Sequence, residues 1–261
     1  MTWFDSHCHI HEQPDAVTLT RECNENGLGG LINIGTTIAT SLSAITVTPK
    51  LATLFPDMVF GATAGIHPHD SDEVVEDHIF REFTQLVEQS YSNGGVVGIG
   101  ECGLDFFYGY SSRENQTSVF IRQIELANSL NLPLVIHTRD AWDETFAILK
   151  SYASTPMIFH CFTGGTAELE KCLEFNSVVS FSGIVTFKKA ENTAIAAKEC
   201  PIERMIIETD SPYLSPVPYR GTKNIPHRVS VVGEYIATLK DVEASSIAKS
   251  TFANTKAIFG V

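Results

Sequence analysis

Eight short apolar runs recur along the chain, each followed by a polar loop and then by an amphipathic stretch of helical length. The runs fall at 2–9, 29–35, 59–66, 95–101, 133–137, 156–160, 177–182 and 204–210. The helical stretches fall near 15–26, 38–54, 72–92, 114–130, 141–153, 166–175, 188–198 and 226–239, with a last one near 243–258. This strand–helix alternation predicts an α/β fold, a (β/α)8 TIM barrel. Residues 1–261 suit one such domain, because α/β barrels commonly run to about 250 residues. An open doubly wound sheet is the competing architecture, but no strand is followed by GxGxxG or by a GxxxxGK[ST] phosphate loop. No low-complexity tract, like-charge block or long Pro/Gly/Ser linker divides the chain.

The polar residues that close these runs carry the chemistry. Glu101 ends the fourth, His137 the fifth, His160 the sixth and Asp210 the eighth, with Glu208 on the face of Asp210 at i, i+2. In the first run, strand alternation puts His7 and His9 on one face with Asp5 and Trp3 and aims Cys8 away, as it aims Cys161 away from its neighbour His160. The C-terminal ends of parallel barrel strands converge on one mouth, so four histidines and two carboxylates from five strands would meet there. Each alone has a plainer reading: a lone strand-end histidine is usually a satisfied polar residue, and Asp210 could cap a turn before Pro212. Burying that many polar groups unpaired would be expensive, whereas imidazoles and carboxylates together are a divalent-metal donor set. The pattern predicts a metal centre.

Composition narrows the partners. With 43% apolar residues the chain can build a sizeable core, and no apolar run approaches 18 residues, so no membrane span is expected. The N-terminus opens directly on a strand, with no basic patch and apolar run of a secretory signal. The six cysteines show no CxxC spacing, and Cys8, Cys102 and Cys161 each adjoin a proposed ligand, which suits reduced thiols in a cytoplasmic protein. A net charge of -13 argues against an extended duplex-binding surface, although bound cations can invert the charge locally.

DSHCH at 5–9, GIHPH at 65–69, GECGLD at 100–105, HTRDA at 137–141, HCFTG at 160–164, FSGIVTF at 181–187 and ETDSPYLSPVPYRG at 208–221 resemble the TatD family of metal-dependent deoxyribonucleases, within the amidohydrolase-type barrels. The match runs from Asp5 to near Phe259. It implies a two-metal hydrolase of phosphodiester bonds, with 3′-to-5′ exonuclease activity on single-stranded DNA or RNA ends. Carried over, His7, His9 and Asp210 would hold one ion, His137 and His160 the other, and Glu101 would bridge them. Some members lack the first His pair, so its presence implies a complete binuclear site. A carboxylated lysine, the bridge in many superfamily relatives, is not expected beside Glu101. The loop after Gly221 departs from the family's Asn-Glu-Pro or Asn-Gln-Pro by reading Asn224-Ile225-Pro226; His227 follows, either compensating or solvated at a helix start.

In this reading water near Glu101 attacks phosphorus and Asp210 accepts its proton, while Glu208 orients the water or holds a ligand histidine in its tautomer. His67 could donate to a phosphate oxygen, and His69, beyond Pro68, is expected at the surface. Arg139 could bind phosphate bidentately or pair with Asp140 or Asp143. Lys188, Lys189, Arg220 and Lys223 could steer a strand end, with Arg220 a substrate contact. Phe106, Phe107, Tyr108 and Tyr110 could stack bases or form a packed lid. Ligand chemistry suits Zn, Mn or Co, whereas family habit favours Mg, which prefers oxygen donors. The same ions could serve an ester or amide hydrolase such as an aminoacyl-tRNA deacylase, and a non-catalytic scaffold is disfavoured because every expected ligand position is filled.

Overall fold

A computed structural model describes residues 1–261. Its eight strands are β1 (Trp3–Cys8), β2 (Leu28–Ile34), β3 (Val59–Ala64), β4 (Gly98–Asp105), β5 (Leu134–Arg139), β6 (Met157–Phe159), β7 (Ser177–Phe181) and β8 (Met205–Ile207). They pair in parallel in chain order, the arrangement of a TIM barrel. The helices are α1 (Ala16–Glu25), α2 (Ile38–Leu54), α3 (Ser71–Val74), α4 (Asp77–Ser92), α5 (Arg113–Leu130), α6 (Trp142–Tyr152), α7 (Thr166–Leu173), α8 (Glu191–Glu199), α9 (Val229–Lys240) and α10 (Ala244–Phe259). The helix read at 72–92 is two, because Glu76 is extended (φ -65°, ψ 134°) and starts α4 afresh. No helix is long and apolar enough to cross a membrane.

Local chemistry starts the helices where the periodicity places them. The Asp15 carboxylate accepts from Thr18 N, Thr37 and Thr40 cap α2 reciprocally, and Ser112 Oγ accepts from Asn115 N, each satisfying an orphan donor of a first turn. Two apolar layers then hold the fold. One fills the cylinder with Phe4, Ile32, Val135, Ile158, Val178 and Ile206, and a larger one lies mainly between the strands and the helical ring. Trp3 belongs to the larger layer and abuts Gly233 of α9, where an added Cβ would come within 2.1 Å of the indole. The expected shared face of Trp3 and His7 is thus corrected: β1 shifts register between Trp3 and Phe4 and again between Asp5 and Cys8, which breaks simple alternation.

The seam between the first and last strands lies at the C-terminal mouth. His9 N donates to Ser211 O and Asp210 N to His7 O, both at 2.9 Å, and Cys8 bridges Ser211 in parallel. The buried Asp5 carboxylate clamps the seam by accepting from Thr209 N at 2.9 Å and from the Thr209 hydroxyl. Strands β6 and β8 are shorter than their apolar runs. His160 and Asp210 lie past the last ladder pairs, and Cys161 and Asp210 turn with φ of 44° and 53°.

Candidate metal centre

Three residues within strands (His7 on β1, Glu101 on β4, His137 on β5) and three just past strand ends (His9 after β1, His160 after β6, Asp210 after β8) form one cluster. Glu101 lies within β4 rather than at its end, where the β4–β5 ladder shifts register between Ile99 and Cys102. Its Oε1 lies 3.0 Å from His137 Nδ1, 3.0 Å from His160 Nε2 and 3.2 Å from His67 Nε2. Its Oε2 lies 3.3 Å from His7 Nε2. Asp210 Oδ1 lies 3.7 Å from His7 Nε2 and 3.4 Å from His9 Nε2. The six residues read as ligands are thus brought together, and the two oxygens of Glu101 face different histidines. Donors sharing a tetrahedral cation at about 2.0–2.1 Å lie roughly 3.4 Å apart, the scale of these contacts.

Whether the donors suit a cation is best judged at His7. Its ring is buried and neither nitrogen has a hydrogen-bond partner, although Nε2 sits beside two carboxylates. A buried imidazole left unpaired is costly, and a cation on Nε2 would satisfy it. The other rings are held by their outer nitrogens. His9 Nδ1 donates to Ile34 O at 2.9 Å, His160 Nδ1 to Glu208 Oε1 at 3.0 Å, and His137 Nε2 to Asp105 Oδ2 at 3.2 Å. Such outer contacts fix tautomer and orientation in metal-binding histidines. The donor set fits divalent cations.

Glu208 does not line the cavity. It is fully buried, and Oε1 also accepts from Cys161 N at 2.9 Å while Oε2 accepts from Ser180 Oγ. With its acceptors engaged away from the mouth it acts through His160, which corrects its reading as a catalytic carboxylate. His67 Nδ1 accepts from His69 N at 3.2 Å, so in the neutral ring the proton sits on Nε2. His67 is thereby a donor toward the site rather than a lone pair.

Asp105 escaped the sequence reading, and His69 is placed differently from it. Asp105 shares the β4 alternation of Glu101 at i, i+4, the signal that could have found it; Oδ2 accepts from both His137 and His69, the latter at 3.0 Å. Asp105 Oδ1 accepts from Phe107 N at 3.0 Å and Tyr108 N at 3.1 Å, so one carboxylate joins the aromatic loop to His137. His69, expected at the surface, is drawn inward because Pro68 opens a one-turn helix that folds it back over β4.

The mouth is a cavity of about 1000 Å³ lined by His9, His67, His69, Glu101, His137, His160 and Asp210. Arg139 is its one Lys or Arg, against Glu12, Asp70, Glu101, Asp140 and Asp210. Its guanidinium lies 3.9 Å from the Phe107 ring centre and 4.6 Å from that of Tyr108, and it makes no ion pair; Asp143 pairs instead with Lys171 at 2.9 Å. Phe106 packs against the core, whereas Phe107, Tyr108 and Tyr110 are exposed. Lys188, Lys189, Arg220 and Lys223 do not line this cavity. Arg220 stacks 3.8 Å from the Phe187 ring centre and donates to Ser215 O at 3.0 Å, which ties down the loop after β8. Ile225 and His227 also lie off the cavity, while Asn224 Nδ2 holds Thr209 O at 3.0 Å. Cys161 does line it, contrary to strand alternation, because its positive φ ends the strand. Burial holds its thiol well above the ordinary range, so it is not a ready thiolate ligand.

Charge is distributed unevenly across the cluster. Burial alone would raise Glu101, but His160 and His67 beside it and hydrogen bonds from His137 and His160 hold it well below the usual carboxylate range. Burial, with His160 alongside, pushes His7 down to about 4, and burial pushes His67 down to about 4. For His9 burial is outweighed by Asp210, which lifts it to about 8 from 6.5. His160 is lifted well above its ordinary value because Glu101 and Glu208 outweigh burial.

In the metal-free protein the His9–Asp210 contact stabilises the fold fully below pH 6.5 and ceases to do so as pH rises through about 8. A cation must displace that proton, so cation affinity rises with pH across this window and binding at neutral pH releases protons. Calorimetry in two buffers of different ionisation enthalpy measures the release; proton uptake would contradict the assignment.

The barrel and its donor set define a metal-dependent hydrolase. The chain belongs to the TatD family: the model described as "TatD related DNase" matches residues 4–260. It is 34% identical over 267 residues to YcfH of Escherichia coli strain K12, covering 98% of this chain and 95% of that one. It is 35% identical over 261 residues to YabD of Bacillus subtilis strain 168, covering 99% of each. Both are described as uncharacterized metal-dependent hydrolases. Among solved structures, the TatD homolog YJJV from Escherichia coli K12 superposes with a TM-score of 0.88 at 24% identity, over 99% of this chain and 98% of that one. An uncharacterized amidohydrolase from Saccharomyces cerevisiae gives 0.87 at 21% identity, over 99% of this chain and 100% of that one.

Proposed function

We propose that the protein hydrolyses phosphodiester bonds at the ends of single-stranded DNA or RNA, as a 3′-to-5′ exonuclease using two divalent cations. The observation that carries this reading is Arg139: a guanidinium free of any carboxylate, lining the cavity that gathers the metal donors and laid over the rings of Phe107 and Tyr108. Its planar fork matches phosphate. The acidity of the rest of the cavity supports cation dependence, since an anionic strand end is otherwise repelled. Exposed Phe107, Tyr108 and Tyr110 beside it offer π-faces to terminal bases.

His7, His9 and Asp210 would hold one cation and His137 and His160 the other, with Glu101 shared. Bound divalent cations acidify water and neutralise charge on the attacking and leaving oxygens. Asp210, at the mouth, accepts the proton of the attacking water. His67 donates from Nε2 to a phosphate oxygen, and Arg139 grips the phosphate against rotation. Glu208 and Asp105 keep His160 and His137 in the required tautomers.

The test follows trimming of a 5′-labelled single-stranded oligonucleotide with Mg²⁺, Mn²⁺ or Zn²⁺, beside cleavage of an aminoacyl ester. A ladder shortened from the 3′ end is expected. In Arg139→Ala the oligonucleotide KM should rise about 10–100-fold with a smaller change in kcat, the scale of a lost charge-assisted hydrogen-bond pair. Ester cleavage without trimming would replace this reading with the ester or amide hydrolase.

A further inference from the structure

We infer that His9, His11 and Glu12 form a third cation site beside the binuclear set, and that filling it inhibits the enzyme by drawing His9 away from Asp210. The one-turn helix Ile10–Glu12 follows β1 and brings His11 and Glu12 to the edge of the mouth. The His11 side chain is fully buried, yet its Nε2 has no hydrogen-bond partner.

The orientation of that nitrogen is fixed from behind. Asn33 Nδ2 donates to Thr48 Oγ1 at 2.8 Å, which turns Asn33 Oδ1 toward His11 Nδ1 at 3.4 Å as an acceptor. His11 therefore carries its proton on Nδ1 and presents a lone pair on Nε2. Nε2 faces Glu12 Oε1 at 3.9 Å, and one donor atom from each of His9, His11 and Glu12 lies within 4.8 Å of the other two. His9 and Glu12 also line the cavity, so a cation reaches the cluster from solvent. Two imidazoles and one carboxylate suit a borderline cation of the zinc class and not Mg²⁺, which prefers oxygen donors.

Competition follows from the proton on His9. Its Nδ1 donates to Ile34 O at 2.9 Å, so only Nε2, 3.4 Å from Asp210 Oδ1, has a lone pair to give. One lone pair serves one cation. A cation that takes His9 together with His11 and Glu12 removes a ligand from the binuclear set; this step rests on His9 being such a ligand.

The experiment titrates metal-free protein with Zn²⁺, counting bound equivalents by calorimetry and by elemental analysis after gel filtration, alongside hydrolysis. Wild type, His11→Gln and Glu12→Gln are compared; the Glu12 side chain is 31% exposed, so that variant keeps the test valid should the buried one fold poorly. Three equivalents in wild type and two in each folded variant are expected. Inhibition at high Zn²⁺ should need at least about tenfold more metal in each variant, the low end of what a metal site loses with a supporting residue. Equal stoichiometry in all three proteins overturns the inference, as does an unshifted inhibition midpoint. Fewer than two equivalents in wild type overturns the binuclear reading as well.

Discussion

Glu101→Gln is expected to lower kcat by at least about 10³-fold and to leave the protein unable to retain its full complement of cations. Four imidazoles surround this one carboxylate, three on Oε1 and one on Oε2. An amide offers one oxygen, and its nitrogen can neither accept from a ring nor hold a cation. Lewis acidity contributes several kcal/mol to such reactions, and about 1.4 kcal/mol is a factor of ten in rate. The cost in fold stability is smaller. Removing a partner from a buried ion pair costs about 3–5 kcal/mol when the other charge is stranded, but His137 and His160 can release their protons once the carboxylate is gone. The metal-free variant should therefore stay folded, which separates a lost centre from a lost protein. Elemental analysis and steady-state hydrolysis check this; two tightly held cations with activity within tenfold of wild type would remove Glu101 from the centre.

The barrel was legible because its strands are apolar runs punctuated by polar loops, and register along a run does not affect the count. Side-chain direction was less legible. Alternation assigned Trp3 and His7 to one face, and it aimed Cys161 away from the mouth. Both failed where the backbone leaves the regular ladder, at the β1 register shifts and at the positive φ of Cys161. Those same irregularities lie beside His7 and His160, so function concentrates where the periodic rule lapses. Asp105 could have been found from its spacing to Glu101, but nothing local announces that its partners lie on β5 and after Pro68. Arg220 read as a mouth cation because its loop follows β8; its stacking on Phe187 depends on two loops meeting in space. The His11 lone pair depends on Asn33 and Thr48, on β2 and α2, and could not be read from the first strand alone.

Glu208→Ala and Glu208→Gln should separate fold from metal. Glu208 accepts from His160 Nδ1, Cys161 N and Ser180 Oγ with no exposure to solvent. Alanine strands all three donors, each worth about 1–3 kcal/mol when buried unpaired, and these losses are not additive. A destabilisation of roughly 3–5 kcal/mol is expected, which lowers Tm by on the order of 10 °C in a chain of this size. Glutamine keeps an oxygen for His160 and Cys161, and its amide can donate to the Ser180 hydroxyl, so Tm should move far less. What glutamine loses is the charge behind His160, and loss of such a partner weakens metal binding about 10–100-fold. Calorimetric titration should show one of two equivalents weakened in Glu208→Gln, with hydrolysis recovered by excess cation, and no such recovery in Glu208→Ala. If both equivalents bind Glu208→Gln as tightly as wild type, His160 draws no basicity from this carboxylate and the buried chain Ser180–Glu208–His160 serves the fold alone.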